Sequence, residues 1–102
     1  MHPLIEKNRK AVAALCARHG VRRLDAFGSI LRNDFDADTS DVDILVEFDA
    51  SVASSFSNFL NLKDALEKLL GRPVDLVELK AVRNRRLRYY IERSKAAIYD
   101  AA

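Results

Sequence analysis

Apolar residues recur along the chain with two periods, and the switches between them mark out the elements. Ile5, Val12, Leu15, Cys16 and His19 are spaced at three, four and seven. That predicts an amphipathic helix over residues 4–19, ended by Gly20. Val21–Phe27 reads as a strand, broken by Gly28-Ser29, which opens a short turn or helix over 29–33. A polar loop follows over 33–40. Val42, Ile44, Val46 and Phe48 then alternate strictly, the mark of a strand with one buried face. Residues 51–55 lead into a second helix that closes near Leu70 at Gly71, with an expected stripe of Phe56, Phe59, Leu60, Leu66, Leu69 and Leu70. A short strand over 73–77, a basic helix over 82–94 and a short strand over 97–99 complete the pattern. Strands alternating with helices predict an α/β (α+β) fold, one small mixed sheet with helices packed on it. The link between the first two strands suits either a hairpin-like return or a compact crossover.

Composition narrows the class. With 102 residues the chain is expected to form a single domain, 1–102, with a modest core that leaves room for a homodimer or a partner. The hydrophobic fraction of 49% and net charge of +2 exclude a disordered tail. The longest uncharged stretch, 50–62, is interrupted by serines and asparagines and is too short to span a membrane. Residues 1–10 carry no apolar signal-peptide core. One cysteine, Cys16, excludes an internal disulfide and a multi-cysteine zinc site, and reads as a buried small hydrophobe. A cytoplasmic protein is expected.

The charges are segregated. Residues 34–49 hold seven acids and no bases, whereas residues 80–95 hold seven bases and one acid. An acidic centre suits cations and a basic tail suits anions. The acidic loop is not a calcium-binding EF-hand: its sixth position is Thr39 where glycine is needed, and its twelfth is Leu45 where glutamate is needed. His2 and His19 lack metal-ligand spacing, and His19 suits a helix C-terminus.

Asp41 and Asp43 carry the chemistry. Residues two apart on a strand share a face, with Cα atoms ~6.7 Å apart. Both carboxylates project away from the face formed by Val42 and Ile44. Paired carboxylates resist joint ionisation unless a cation lies between them, and hard oxygen donors suit Mg²⁺ or Mn²⁺. Asp75, between Val74 and Leu76, joins them if the third strand neighbours the second. Three such acids can hold two metal ions that clamp an in-line displacement. Gly28 and Ser29 can bring backbone amides and a hydroxyl to a phosphate, and Arg32 can contact it bidentately.

Phe27-Gly28-Ser29-Ile30-Leu31-Arg32, followed by Ser40-Asp41-Val42-Asp43-Ile44-Leu45-Val46, resembles the signature of the minimal nucleotidyltransferase (MNT) family. This family belongs to the DNA polymerase beta nucleotidyltransferase superfamily. The leading helix, the segment over 71–77 and the basic helix also sit where that family has them. The resemblance implies a polymerase beta-like nucleotidyltransferase fold and transfer of AMP from ATP. It implies that the acids matching Asp41 and Asp43 bind Mg²⁺, two ions in all, and that the acid matching Asp75 completes the metal site and activates the acceptor hydroxyl. It implies that Gly28, Ser29 and Arg32 bind nucleotide. It further implies an antitoxin that AMPylates a tyrosine of a HEPN-domain ribonuclease toxin. The alternative is an antitoxin that only binds and masks its partner. Two departures stand out: Asn33 replaces a frequent glycine, and the loop over 33–39 is one residue longer than usual. The basic helix, with Tyr89 and Tyr90, can be read as an RNA-stacking face. A surface for an acidic protein partner is the preferred reading, with no direct nucleic-acid binding and no membrane.

Overall fold

The computed structural model describes residues 1–52 and 55–101. Four strands form one mixed sheet in the order β3-β2-β1-β4. They are β1 (Val21–Phe27), β2 (Val42–Phe48), β3 (Val74–Glu78) and β4 (Ala96–Asp100). β2 runs antiparallel to β1, so the link between them is a return and not a crossover. β3 is parallel to β2, and β4 is antiparallel to β1 on its other side.

The expected first helix is broken in two, α1 (Pro3–Glu6) and α2 (Arg9–Arg18). The break is at Lys7-Asn8, where the Asn8 amide donates back to the Leu4 carbonyl at 2.8 Å. An asparagine side chain that satisfies the preceding turn competes with helix continuation. α3 (Phe56–Leu70) begins at Ser55, whose hydroxyl accepts from the Asn58 N–H, and ends at Gly71 in the left-handed region at φ 69°. Ala53 and Ser54 of its expected lead-in lie outside the described residues. α4 (Arg85–Ser94) is shorter than expected because Asn84 caps it, accepting from the Arg86 and Leu87 N–H groups.

One face of the sheet carries the main core. Leu24, Ala26, Ile44, Val46, Val74 and Leu76 pack there beneath Val12 and Cys16 of α2 and Leu62, Leu66 and Leu70 of α3. The register between β1 and β2 shifts between Val21 and Arg23, which lets Val21 and Leu24 both reach the core despite their odd spacing. The α3 stripe differs from expectation: Leu62 is its buried anchor, whereas Phe56 and Leu60 are exposed. Cys16 is fully buried, and burial pushes its thiol pKa up to about 12, so it is no nucleophile. The opposite face is covered only in part, by Ile91 of α4 packing on Phe27 and Leu45. That partly open face is where the acids project. Among the described residues no helix is long and apolar enough to cross a membrane.

Candidate active site

Three strands meet at the site. β1 ends at Phe27, and Gly28 turns the chain at φ 74° into a short 3-10 helix, Gly28–Leu31. Buried Ile30 anchors that turn in the core, leaving Ser29 half-buried and Arg32 exposed. No described residue other than glycine has a positive φ, so Asn33 serves here without entering the left-handed region. The acidic loop is folded around Asp36, which accepts from the Asp38 N–H at 2.8 Å while its own N–H donates to Ser40 Oγ at 3.0 Å.

Asp43 is the centre of the arrangement. It pairs with Phe27 on β1 and with Asp75 on β3. Val42 and Val74 pair in the same register and point into the core, which turns both acids to the other face. The start of β2 is pinned by the Val42 N–H to the Pro73 carbonyl at 2.9 Å and by Arg72 Nε to the Ser40 carbonyl at 3.1 Å. Those bonds fix the strand end from which exposed Asp41 projects. The condition set by the sequence is therefore met: β3 neighbours β2, and Asp75 joins Asp43.

The electrostatics agree with this placement. The Asp43 carboxyl is held above the usual aspartate range, first by burial, then by the charges of Asp75 and Asp41, against an opposing pull from Arg32. Its ionisation thus feels three of the other five candidate residues. Gly28 is a fourth neighbour: a β carbon there would run into the Asp43 carboxylate. Among the described residues no three of His, Cys, Asp and Glu form a ready-made metal cage. Asp43 and Asp75 pair across two adjacent strands, and Asp41 immediately precedes β2, close enough for its charge to act on Asp43. Their donor set is all oxygen and anionic, and Asp43 is destabilised as an anion by its neighbours. A hard divalent cation would offset that repulsion, so these residues fit Mg²⁺.

Arg32 is tied in two directions. Its Nε donates to Asp34 Oδ1 at 3.1 Å and its Nη1 to the Tyr90 hydroxyl at 2.9 Å. The second bond, from a residue 58 positions away, was not foreseeable from the sequence, where Tyr90 reads only as part of the basic face. A cavity of about 410 Å³ further along the same side, lined by Asp25, Leu45, Glu47, Lys80, Arg88 and Lys95, contains none of the six candidate site residues. That cavity is therefore separate from the carboxylate cluster.

A strand-turn segment carrying Gly-Ser, facing paired strand acids on a mixed sheet, defines a nucleotidyltransferase. The chain belongs to the nucleotidyltransferase domain family, whose model matches residues 8–99. It is 39% identical over 84 residues to a Methanocaldococcus jannaschii protein assigned as a protein adenylyltransferase, covering 82% of this chain and 83% of that one. A solved structure assigned as a minimal nucleotidyltransferase is similar over 94% of this chain and 95% of its own, with 38% identity and a TM-score of 0.76. The MNT antitoxin complex with a tri-AMPylated HEPN toxin from Shewanella oneidensis shares the fold at a TM-score of 0.67, over 95% of this chain and 73% of that one, at 18% identity.

Proposed function

We propose that residues 1–102 act as one domain, a Mg²⁺-dependent protein adenylyltransferase of the cytoplasm, where ATP is available. It moves AMP from ATP to a tyrosine hydroxyl of a HEPN-domain ribonuclease toxin, and so serves as the antitoxin. The observation that carries this reading is the pairing of Asp43 with Asp75 on the open face of the sheet, opposite the Gly28 turn. The names of similar proteins support the acceptor class: one is assigned as a protein adenylyltransferase, and another is an antitoxin bound to an AMPylated HEPN toxin.

Each residue has a role in this reading. Asp41 and Asp43 would hold the cation with the triphosphate, and Asp75 would complete the metal site. Gly28 permits close approach of the turn, while Ser29 and Arg32 hold phosphate oxygens. Mg²⁺, when bound, would neutralise phosphate charge and lower the cost of charge building on the leaving group. Asp75 orients the acceptor hydroxyl and takes its proton. A bond forms between the tyrosine oxygen and the α-phosphorus, the bond from that phosphorus to the bridging oxygen breaks, and pyrophosphate leaves. Tyrosine has a pKa near ~10, so its hydroxyl is protonated at neutral pH and gains from a nearby base.

The test is Asp75→Asn with labelled ATP, the partner toxin and a parallel nucleotide-binding assay. Retained ATP binding with lost transfer is the expected result. Normal transfer would remove Asp75 from the mechanism. A wild-type chain that silences its partner without labelling it would instead establish the binding-only antitoxin.

A further inference from the structure

Arg32 is an exposed side chain on the turn that follows Gly28-Ser29, with 53% of its side-chain surface accessible. An arginine so exposed samples many rotamers, and fixing it on a phosphate costs side-chain entropy. Here two contacts restrain it before any ligand arrives. Asp34 accepts from Nε, and the Tyr90 hydroxyl accepts from Nη1. The Asp34 contact spans only two residues within one loop. The Tyr90 contact is different in kind, because it joins the turn to α4, an element packed on the sheet through buried Ile91. Two of the five guanidinium N–H groups are then used, and three remain to meet phosphate oxygens. The Tyr90 oxygen accepts in this bond, so its own O–H proton remains to be donated.

We propose that Tyr90 is a positioning residue of the nucleotide site, holding Arg32 in the orientation that receives the triphosphate. This rests on the reading of Arg32 as a phosphate ligand. It makes α4 part of the ATP site, not only a basic surface. The neighbouring tyrosine does not share the role: the Tyr89 hydroxyl accepts from Arg93 one turn along the same helix at 2.9 Å, and its ring lies under that guanidinium. With its hydroxyl engaged by Arg32, Tyr90 serves position in this proposal and not acceptance of AMP.

The experiment is calorimetry of Mg²⁺·ATP binding to the full chain, with Tyr90→Phe, Tyr89→Phe, Arg32→Ala and the Arg32→Ala/Tyr90→Phe pair. Tyr90 is 42% exposed and the phenylalanine keeps its ring, so the variant should melt like the wild type. The expected result is a roughly 3–10-fold weaker Kd for Tyr90→Phe and a larger loss for Arg32→Ala. The double variant should be no worse than Arg32→Ala alone, because Tyr90 acts through Arg32. Tyr89→Phe should bind as the wild type does. Wild-type affinity in Tyr90→Phe beside an impaired Arg32→Ala would overturn the proposal, as would additive losses in the double variant. Full affinity in Arg32→Ala, with Asp43→Asn unable to bind, would remove Arg32 and Tyr90 together from the site while leaving the carboxylate reading in place.

Discussion

Gly28 lies so close to the Asp43 carboxylate that no β carbon fits between them. It also has φ 74°, where side-chain-bearing residues are strained. Two independent constraints thus require glycine where the turn passes the acid. Gly28→Ala is expected to cost about 1–2 kcal/mol of stability and to push Asp43 aside, lowering transfer by about 10²-fold or more. Gly71 has a similar φ of 69° but nothing within 4 Å of a built β carbon. Gly71→Ala should therefore cost about 1 kcal/mol and leave transfer intact. Urea melts with transfer assays on both variants check this. Equal loss of activity in the two would show that strain, and not Asp43, limits position 28.

The acids facing one another are expected to oppose the fold while serving the site. Asp43 is half-buried beside Asp75 and Asp41, and its anion is disfavoured there by burial and by their charges. Asp43→Asn removes that repulsion. In EDTA the variant should be at least as stable as the wild type, while Mg²⁺-dependent ATP binding is lost. Thermal melts with and without Mg²⁺ measure both. A variant that melts lower and still binds ATP would move the metal site elsewhere.

The same two-residue alternation that displayed the acids made β2 legible to the residue, whereas β1 was legible from its apolar ends and the Gly28-Ser29 break that follows it. Asp43, Val42 and Ile44 announce opposite faces in any strand. The Asp43–Asp75 pairing was legible only as a condition, because strand order is not written in local periodicity. The Tyr90–Arg32 bond was hidden altogether, since it depends on how α4 crosses the sheet. α3 shows the limit of hydrophobic pattern more plainly. Phe56 and Leu60 belong to an apolar stripe by sequence but face solvent, while Leu62 is fully buried. Two overlapping stripes run along that helix, and only packing against α2 and the sheet chooses between them.

That choice has a measurable consequence. Leu66 is fully buried and Phe56 is 75% exposed. Leu66→Ala should destabilise by about 2–5 kcal/mol, because it removes transfer energy and leaves a cavity. Phe56→Ser should change stability by no more than about 0.5 kcal/mol. Urea denaturation of the two variants gives the comparison. A large loss at Phe56 would return that residue to the core.

Glu67 links the end of α3 to the start of β3, the strand that carries Asp75. Its carboxylate accepts from the Val74 N–H at 2.9 Å and from Lys63 Nζ at 3.2 Å. The bond from the Val74 amide, then that from Lys63, holds the carboxyl below the usual glutamate range. A carboxyl whose folded pKa is depressed binds protons more weakly in the native state than in the unfolded chain. Its stabilisation is therefore fully present above the unfolded value, near ~4.3, and is lost as pH falls through the lower folded value. Glu67→Gln keeps an acceptor for Val74 but loses the charge, and should cost about 1 kcal/mol at pH 7. The gap between wild type and variant should close as the pH is lowered from 5 to 3. Urea midpoints across that range measure it, and the shared titration of the other acids cancels in the difference. A gap that stayed constant with pH would mean that Glu67 acts through its shape alone. A gap that widened on acidification would mean that its folded pKa is raised, and that the Val74 amide is not its partner.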